Sequence, residues 1–347
     1  MMKSALTFVS MLFAAMGLFS SCEKDDDVAI KLNNDTLSLF DSTLKLQQIS
    51  IGVNNDTMVF VDLTTGATSS SPVKVYDLAF EASPTGQFIY LNTGKYMFAY
   101  RTTHTDVLLA DSTGLNWQTD GDTWEGDSTA LGRNTSGSGV VNNHVIIIDR
   151  GKYDHTGGDR YRKLQIAEVD ESHYLIRYCL LDNSGYNEYI VTKNDAYSLM
   201  YFSFSNNGQM VTVAPPKNLW DMVFTRYIHT YWDQPPLFRY YPVNGTMLNV
   251  WNDCSSAMLR EDSLPGYKLF NDFTEEDVNN YPYTTVANQM GFDWKYFDFN
   301  INKYVVRENQ YYIIRNGQNE YYKLQYIDFY NEQGQRGYPT YQYQRIN

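Results

Sequence analysis

The same strand-and-turn pattern occurs twice along this chain. In the first half Val59–Gly66 precedes Tyr76–Phe80, and in the second half Tyr201–Gly208 precedes Trp220–Phe224. Each copy is a run of strand-forming residues, a turn with glycine, a loop with proline, and a strand that opens with an aromatic residue followed by aspartate. Self-similarity of this kind indicates one structural unit used twice.

The ends of the two halves also correspond. Val145–Ile148 leads to Tyr161–Ile166, just as Tyr311–Ile314 leads to Tyr321–Tyr326. In both places an apolar run, a polar turn with glycine and a run that alternates from lysine onward predict an antiparallel hairpin. Because both ends of the pattern repeat in the same order, a chance match is a poor explanation.

The sequence therefore predicts an all-β fold with two tandem, homologous antiparallel β-domains, at residues 28–195 and 196–347. Removal of a leader would leave roughly 325 residues, which is enough for two domains of ordinary size. Helical signals are few. The best is Thr274–Val278, where an N-cap residue precedes acidic residues that suit the first turn of a short helix.

Residues 1–21 have the pattern of a bacterial lipoprotein signal peptide. Lys3 precedes an apolar run, Ala5–Phe19, which is too short to span a bilayer comfortably, and Cys22 follows two serines. We expect Cys22 to be lipidated and residues 22–27 to form an acidic tether at the outer face of the outer membrane. The lipid would be the sole membrane attachment. The alternative is an ordinary cleaved signal with a chance cysteine.

Composition limits the partners and the chemistry. The net charge of −13 argues against nucleic acid, because binding phosphates requires a basic surface. The 30 tyrosines favour strands, and some of them must lie on exposed sheet faces, where they can stack on flat ligands or simply pack. Cys179 and Cys254 lie in different predicted domains, so we expect two separate buried thiols. The cysteine spacing predicts no structural zinc site.

Five motifs of the second half are similar in order and spacing to those of a known family: Tyr201–Gly208, Leu219–Met222, Arg226–Tyr227, Tyr312–Arg315 and Lys323–Tyr330. Through them the second half resembles the HmuY family, which are exported haem-binding lipoproteins of Bacteroidota. The first half, a divergent copy, matches through its likeness to the second. The resemblance implies an all-β fold that binds haem and delivers it to an outer-membrane receptor.

The resemblance does not transfer the iron ligands. The family's best-known pattern is a pair of histidines, whereas the second half has one histidine, His229, and Ile301–Tyr304 has none. Thioether is also a haem ligand, so the candidates are His229 and three methionines, Met247, Met258 and Met290. The alternative for each methionine is core packing, and for His229 a hydrogen-bonded strand position. We expect no metal site beyond the haem iron.

The first half offers no better pair of ligands. Its four histidines have no spacing that forces two rings onto one site; they are His104, His144, His155 and His173.

An enzyme is disfavoured, since the chain lacks the common catalytic motifs. Asp77 and Asp221 occupy equivalent places in the two halves and are interpreted as hydrogen-bonding residues beside packed aromatics. The alternative function is a non-catalytic surface module of the same fold that binds a glycan or a protein. Its platform would be one of two aromatic clusters: Tyr227, Tyr231 and Trp232, or Phe238, Tyr240 and Tyr241.

Overall fold

The computed structural model describes residues 44–110, 116–134, 143–231, 233, 239–261 and 266–346. The predicted signal peptide, Cys22 and the acidic tether lie outside the described residues. The residues described belong to one compact unit that begins at Asp41. Within the part of the chain described, no helix is long and apolar enough to cross a membrane.

The predicted all-β class is confirmed, with 43% of the described residues in strands. The strands before residue 196 are β1 (Lys45–Gln48), β2 (Thr57–Val61), β3 (Thr68–Pro72), β4 (Leu78–Glu81), β5 (Ile89–Leu91), β6 (Phe98–Arg101), β7 (Ile146–Asp149), β8 (Tyr161–Val169), β9 (His173–Cys179) and β10 (Asn187–Thr192). Those after it are β11 (Leu199–Ser203), β12 (Gln209–Val211), β13 (Met222–Thr230), β14 (Tyr240–Leu248), β15 (Ser255–Arg260), β16 (Lys295–Asp298), β17 (Lys303–Val306), β18 (Gln310–Arg315), β19 (Tyr321–Tyr330) and β20 (Arg336–Arg345).

The helical segments of the described residues are short 3-10 turns. They are Val73–Val75, Thr93–Lys95, Gly126–Ser128, Gly157–Arg160, Ser205–Asn207, Lys217–Leu219, Val250–Asn252, Phe270–Asp272, Glu275–Asn280 and Ala287–Gln289. The predicted short helix is the 3-10 segment Glu275–Asn280. Its N-cap is Thr274, whose backbone N–H and side-chain hydroxyl both donate to the Asp277 carboxylate, at 2.9 and 3.1 Å. The capping signal in the sequence was therefore sufficient to locate this turn.

The predicted hairpins are confirmed. Strands β7 and β8 pair antiparallel, and so do β18 and β19. Each hairpin belongs to a five-stranded sheet, in the order β10-β9-β8-β7-β6 for the first and β1-β20-β19-β18-β15 for the second. The two sheets are thus built from corresponding strands, because β6 to β9 recur as β15, β18, β19 and β20.

The two halves exchange strands in two further sheets, with the orders β12-β11-β4-β5 and β14-β13-β2-β3. The exchange is reciprocal. The backbone N–H of Asp77 donates to the Phe202 carbonyl and that of Asp221 to the Val61 carbonyl, both at 2.8 Å. Each half therefore supplies a hairpin that completes a sheet of the other. The division at residue 195 stays a prediction, and in space the halves interlock across it.

Three large apolar clusters fill the space between the sheets. One lies against the β6–β10 sheet and includes Phe202 and Phe204 from the second half, one joins the β1–β20 sheet to β2 and β13, and the third lies between the two exchanged sheets. The third contains Phe60, Tyr201 and Trp220, with the rings of Phe60 and Trp220 edge to face at 5.1 Å. Cys179 and Cys254 are free and buried, as expected.

Candidate functional site

An open groove lies on the first five-stranded sheet, with a volume of about 330 Å³. Its floor is a row across three neighbouring strands, because Phe98 pairs with Asp149 and Asp149 pairs with Tyr161. Residues directly opposite each other in an antiparallel ladder project from the same face. The complete lining is Tyr96, Phe98, Trp117, Asp149, Lys152, Arg160, Tyr161 and Tyr240.

Strand alternation presents the aromatic rings of the groove. Around β6, Met97 and Ala99 point into the core, whereas Tyr96, Phe98 and Tyr100 are only partly buried. A strand has a side-chain period of two, so one face of this segment is apolar core and the other is a stripe of rings. Tyr96 has the left-handed backbone conformation that ends the turn Thr93–Lys95, with φ of 63°.

The rings around the groove hold one another in place. Phe98 and Tyr240 meet edge to face at 5.3 Å, Tyr96 and Phe98 at 5.1 Å, and Trp117 lies 6.1 Å from Tyr161. The Tyr96 hydroxyl donates to the Tyr240 carbonyl at 3.1 Å. Burial raises the pKa of Tyr96, an effect that Lys152 partly opposes. The arrangement is a rigid aromatic wall that suits a flat ligand.

Two cationic side chains face these rings, and they differ in whether a carboxylate already pairs with them. Arg160 is committed to Asp149, with Nε–Oδ1 at 2.9 Å and Nη2–Oδ2 at 2.5 Å. The Lys152 ammonium lies 5.5 Å from the centroid of Tyr96 and 5.0 Å from that of Tyr153. No ion pair joins Lys152 to a carboxylate within the described residues. Lys152 is therefore the cation available to an anionic ligand.

The loop that carries Lys152 and Arg160 is anchored by a buried ion cluster. Arg150 donates to both oxygens of Asp77, at 3.1 and 3.0 Å, and Lys95 donates to one of them. Burial alone would raise the pKa of Asp77, but Lys95 and Arg150 outweigh it and lower this pKa to about 2. Gly151 follows with φ of 103°, and a Cβ there would clash with the Lys95 carbonyl oxygen.

The predicted methionine ligands lie in the cores, away from the groove. Met247 is fully buried in the cluster between the exchanged sheets, and Met290 in the cluster of the β1–β20 sheet. Met258, on β15, is partly buried and packs against the same cluster as Met290. Iron ligation by Met247 or Met290 would require the core around them to open. Their ligand roles stay predictions.

His229 is better placed for ligation than the methionines, although it is also outside the groove. It is partly exposed on β13, and its Nδ1 lies 2.5 Å from the Asp122 carboxylate. Its ring meets those of Tyr231 and Phe292 at 4.5 and 5.0 Å. His229 pairs with Tyr241 across the ladder, so it projects from the face opposite Tyr240. The structure does not bring His229 and the groove together.

Three histidines of the first half have local side-chain partners. His144 Nδ1 lies 3.1 Å from the Thr102 carbonyl and His155 Nδ1 lies 2.8 Å from Asp159. His173, Asp170 and Glu168 have ligand atoms within 4.8 Å of one another, so they could hold a cation. Asp170 already accepts hydrogen bonds from the backbone of Ser172 and His173 in this β8–β9 turn. These bonds account for the cluster without a bound cation.

Asp77 and Asp221 act as backbone acceptors in equivalent positions. Asp77 accepts from the Phe204 N–H at 2.7 Å and Asp221 from the Leu63 N–H at 2.8 Å. Within the described residues Asp221 has no cation partner. Burial raises its pKa to about 6, although the bond from Leu63 opposes the shift. Each carboxylate thus ties a hairpin of one half to the other half.

The aromatic platforms of the alternative function are only partly accessible. Tyr227 is buried, Tyr231 is half-buried, and Tyr241 is 54% exposed. Tyr240 belongs to the groove instead. Trp232 and Phe238 lie outside the described residues.

A comparison with protein-family models matches the HmuY family over residues 54–343. The chain belongs to the HmuY family. No curated protein matches the sequence. The family resemblance predicted from the sequence is confirmed, and the matched region covers both halves of the chain.

Among solved structures, apo PinO from Porphyromonas gingivitis is 8% identical, with 88% of this chain and 99% of that chain covered and a TM-score of 0.28. A Bacteroides vulgatus protein, named as a candidate HmuY-like heme-binding protein, is 10% identical, with 88% and 93% covered and a TM-score of 0.23. A Bacteroides fragilis protein, named as a candidate lipoprotein, is 10% identical, with 89% and 95% covered and a TM-score of 0.23.

Proposed function

We propose that this HmuY-family protein binds haem at the cell surface and passes it to an outer-membrane receptor. The observation that carries the proposal is the groove of aromatic rings with a free lysine at its edge. Haem is a flat, apolar macrocycle with two carboxylates. Offset and edge-on contacts with rings suit the macrocycle, and a lysine ammonium suits a carboxylate. A volume of about 330 Å³ lies within the range of pockets that hold small organic ligands.

The proposed location rests on the sequence before the described residues. A signal peptide at 1–21, lipidation of Cys22 and an acidic tether at 22–27 would hold the protein by its N-terminus at the outer membrane. The family match supports this proposal. The finding that the described residues include no membrane-spanning helix is compatible with it.

We also propose that the two halves descend from one duplicated unit. Equivalent residues make equivalent bonds in both: Asn92 and Asn249 each donate from the backbone to the carbonyl of Asp77 or Asp221, at 2.9 and 2.8 Å. Their side-chain amides also bond the carbonyls of Tyr76 and Trp220, each at 2.9 Å. Agreement in side-chain contacts as well as strand order supports common descent.

The test of haem binding is a haemin titration of the mature chain without its lipid, followed by the Soret band. We expect a shifted, saturable band. Tyr161→Ser should weaken binding by up to about tenfold, since an aromatic contact contributes about 1 kcal/mol beyond its area. Tyr186→Ser is the matched control, because Tyr186 is 46% exposed and lies outside the groove. An unshifted spectrum in both ferric and ferrous states would refute haem binding.

A glycan-binding or protein-binding role is the second candidate. It is favoured by Tyr241, whose exposed ring lies 6.4 Å from that of Tyr231 on the face opposite the groove. Tyr241→Ala should abolish retention on a glycan array or by a partner if this face is the binding surface, and should leave the haemin titration unchanged.

A further inference from the structure

The lining of the groove contains no histidine, methionine or cysteine, three of the residue types that usually hold haem iron. Histidine, methionine, cysteine thiolate and tyrosinate are the usual axial ligands. All five histidines and every methionine after residue 43 fall within the described residues, yet none of them lines the groove. Met97 lies between two lining residues in sequence, but it is fully buried in the core. The groove therefore offers no imidazole or thioether to iron.

The tyrosine that is best fixed in the groove is also a poor ligand. Tyrosine binds iron as phenolate, and Tyr96 instead uses its proton in the bond to the Tyr240 carbonyl. Burial raises the pKa of Tyr96, which further favours the neutral phenol. The hydroxyl is thus occupied in holding β14 against the turn before β6.

What the groove does offer matches the rest of a porphyrin. The rings of Phe98, Tyr161 and Tyr240 supply planar apolar contacts. Arg160 is neutralised by Asp149, so its contribution is shape and ring contact, with its guanidinium 5.0 Å from the Tyr161 centroid. Lys152 alone adds a positive charge without a carboxylate partner among the residues described.

Given the proposed function, we infer that this groove recognises the porphyrin plane and its carboxylates rather than the iron, with Lys152 supplying the counter-charge. Metal-free protoporphyrin is then a ligand in its own right. Haem and protoporphyrin bind with similar affinity, and His229, on the opposite face of the β13–β14 hairpin, is not needed for either.

The experiment compares haemin, protoporphyrin IX and protoporphyrin dimethyl ester by quenching of tryptophan fluorescence in the mature chain. We expect dissociation constants for haemin and protoporphyrin within about threefold of each other. Lys152→Gln should weaken both by about fivefold, the value of one partly exposed ion pair. The dimethyl ester, which has no charge to pair, should bind wild type and Lys152→Gln equally.

Two controls make the result specific. Lys45→Gln removes another exposed lysine that lies over a tyrosine ring, 5.4 Å from the centroid of Tyr343, and should change nothing. His229→Ala should leave both affinities unchanged. The inference is overturned if haemin binds tightly and protoporphyrin binds at least a hundredfold more weakly. It is also overturned if His229→Ala no longer binds haemin. In both cases the proposed function stands. If neither ligand binds, both are refuted.

Discussion

Replacing Asp77 by asparagine tests whether the two halves are held together by a buried ion cluster. Asp77 is fully buried and accepts from the side chains of Lys95 and Arg150 and from the Phe204 N–H. Asparagine keeps the size and the backbone acceptor, but it leaves buried Lys95 without its ion-pair partner and leaves Arg150 with Asp159 alone. Breaking a buried ion pair in this way costs about 3 to 5 kcal/mol.

The pKa of Asp77 gives an independent lower value. A fall from 3.8 to about 2 corresponds to about 2 kcal/mol of native-state stabilisation. Because the folded pKa lies below the unfolded one, this contribution is present above pH 3.8 and is lost as the pH falls toward 2. We therefore expect Asp77→Asn to lower the free energy of unfolding at pH 7 by about 3 kcal/mol.

Asp221→Asn is the matched control, because the position is equivalent and no cation among the described residues pairs with Asp221. The pKa of Asp221 is raised from 3.8 to about 6, so its charge destabilises the native state by about 3 kcal/mol at neutral pH. Stability linked to Asp221 is full below pH 3.8 and is lost as the pH rises through 6. Asparagine can still accept from Leu63, so the unfolding free energy at pH 7 should stay within about 1 kcal/mol of wild type or rise.

The assay is urea unfolding followed by tryptophan fluorescence at pH 7 and pH 4.5. Asp77→Asn should be the less stable variant at both pH values. Between pH 4 and pH 6 the wild type should lose stability as Asp221 ionises, and Asp221→Asn should lose less over the same range. Equal losses for the two variants at pH 7 would refute the argument that the cations, rather than the backbone acceptor, make Asp77 important.

Three further changes should have outcomes that the structure fixes. Gly151→Ala should destabilise by about 2 kcal/mol or more, measured by urea unfolding, because φ is 103° and the added Cβ meets the Lys95 carbonyl. Lys295→Met should raise the unfolding free energy at pH 7 by at least about 1 kcal/mol, because burial lowers the pKa of Lys295 to about 7 and so disfavours its charged form. In the wild type, the unfolding free energy should rise with pH from 7 to 10. Phe299→Ser should change the free energy of unfolding by less than about 0.5 kcal/mol in the same assay, because Phe299 is 87% exposed.

The hairpins could be predicted from the sequence, whereas the exact register of the repeat could not. The motifs align Gly66 with Gly208, but the backbone bonds of Asp221 and Asp77 make Val61 equivalent to Phe202. The second turn therefore contains one residue more. Asn206 and Asn207 accommodate it with left-handed φ values of 55° and 64°, a conformation that asparagine tolerates better than most residues.

The exchange of strands between the two halves also could not be predicted from the sequence. A period of two says which side chains share a face, but it does not say which strand lies alongside. Strands β2 and β4 carry the same pattern as β11 and β13, so pairing within a half and pairing between halves are equally compatible with it. The Asp77 and Asp221 bonds select the second arrangement, and they depend on contacts between residues more than a hundred positions apart.

The groove was missed because its residues are distant in sequence and ordinary in type. Tyr96, Phe98 and Tyr100 did carry a signal, since they alternate with core residues on one strand. Single histidines and methionines stand out in the sequence as possible iron ligands. The rings of the groove do not stand out, because their pattern is the same as that of ordinary β packing. The sequence assigns Tyr240 only to the aromatic platform of the alternative glycan-binding or protein-binding function.

The interlocked halves bear directly on where a ligand can bind. Tyr240, from the second half, packs on Phe98 and accepts the hydroxyl of Tyr96, both from the first half. One wall of the groove therefore exists only when β14 lies against the segment before β6. Binding at this groove is then a property of the whole chain, and its strength depends on the same contacts, such as that between Asp77 and Phe204, that hold the two halves together.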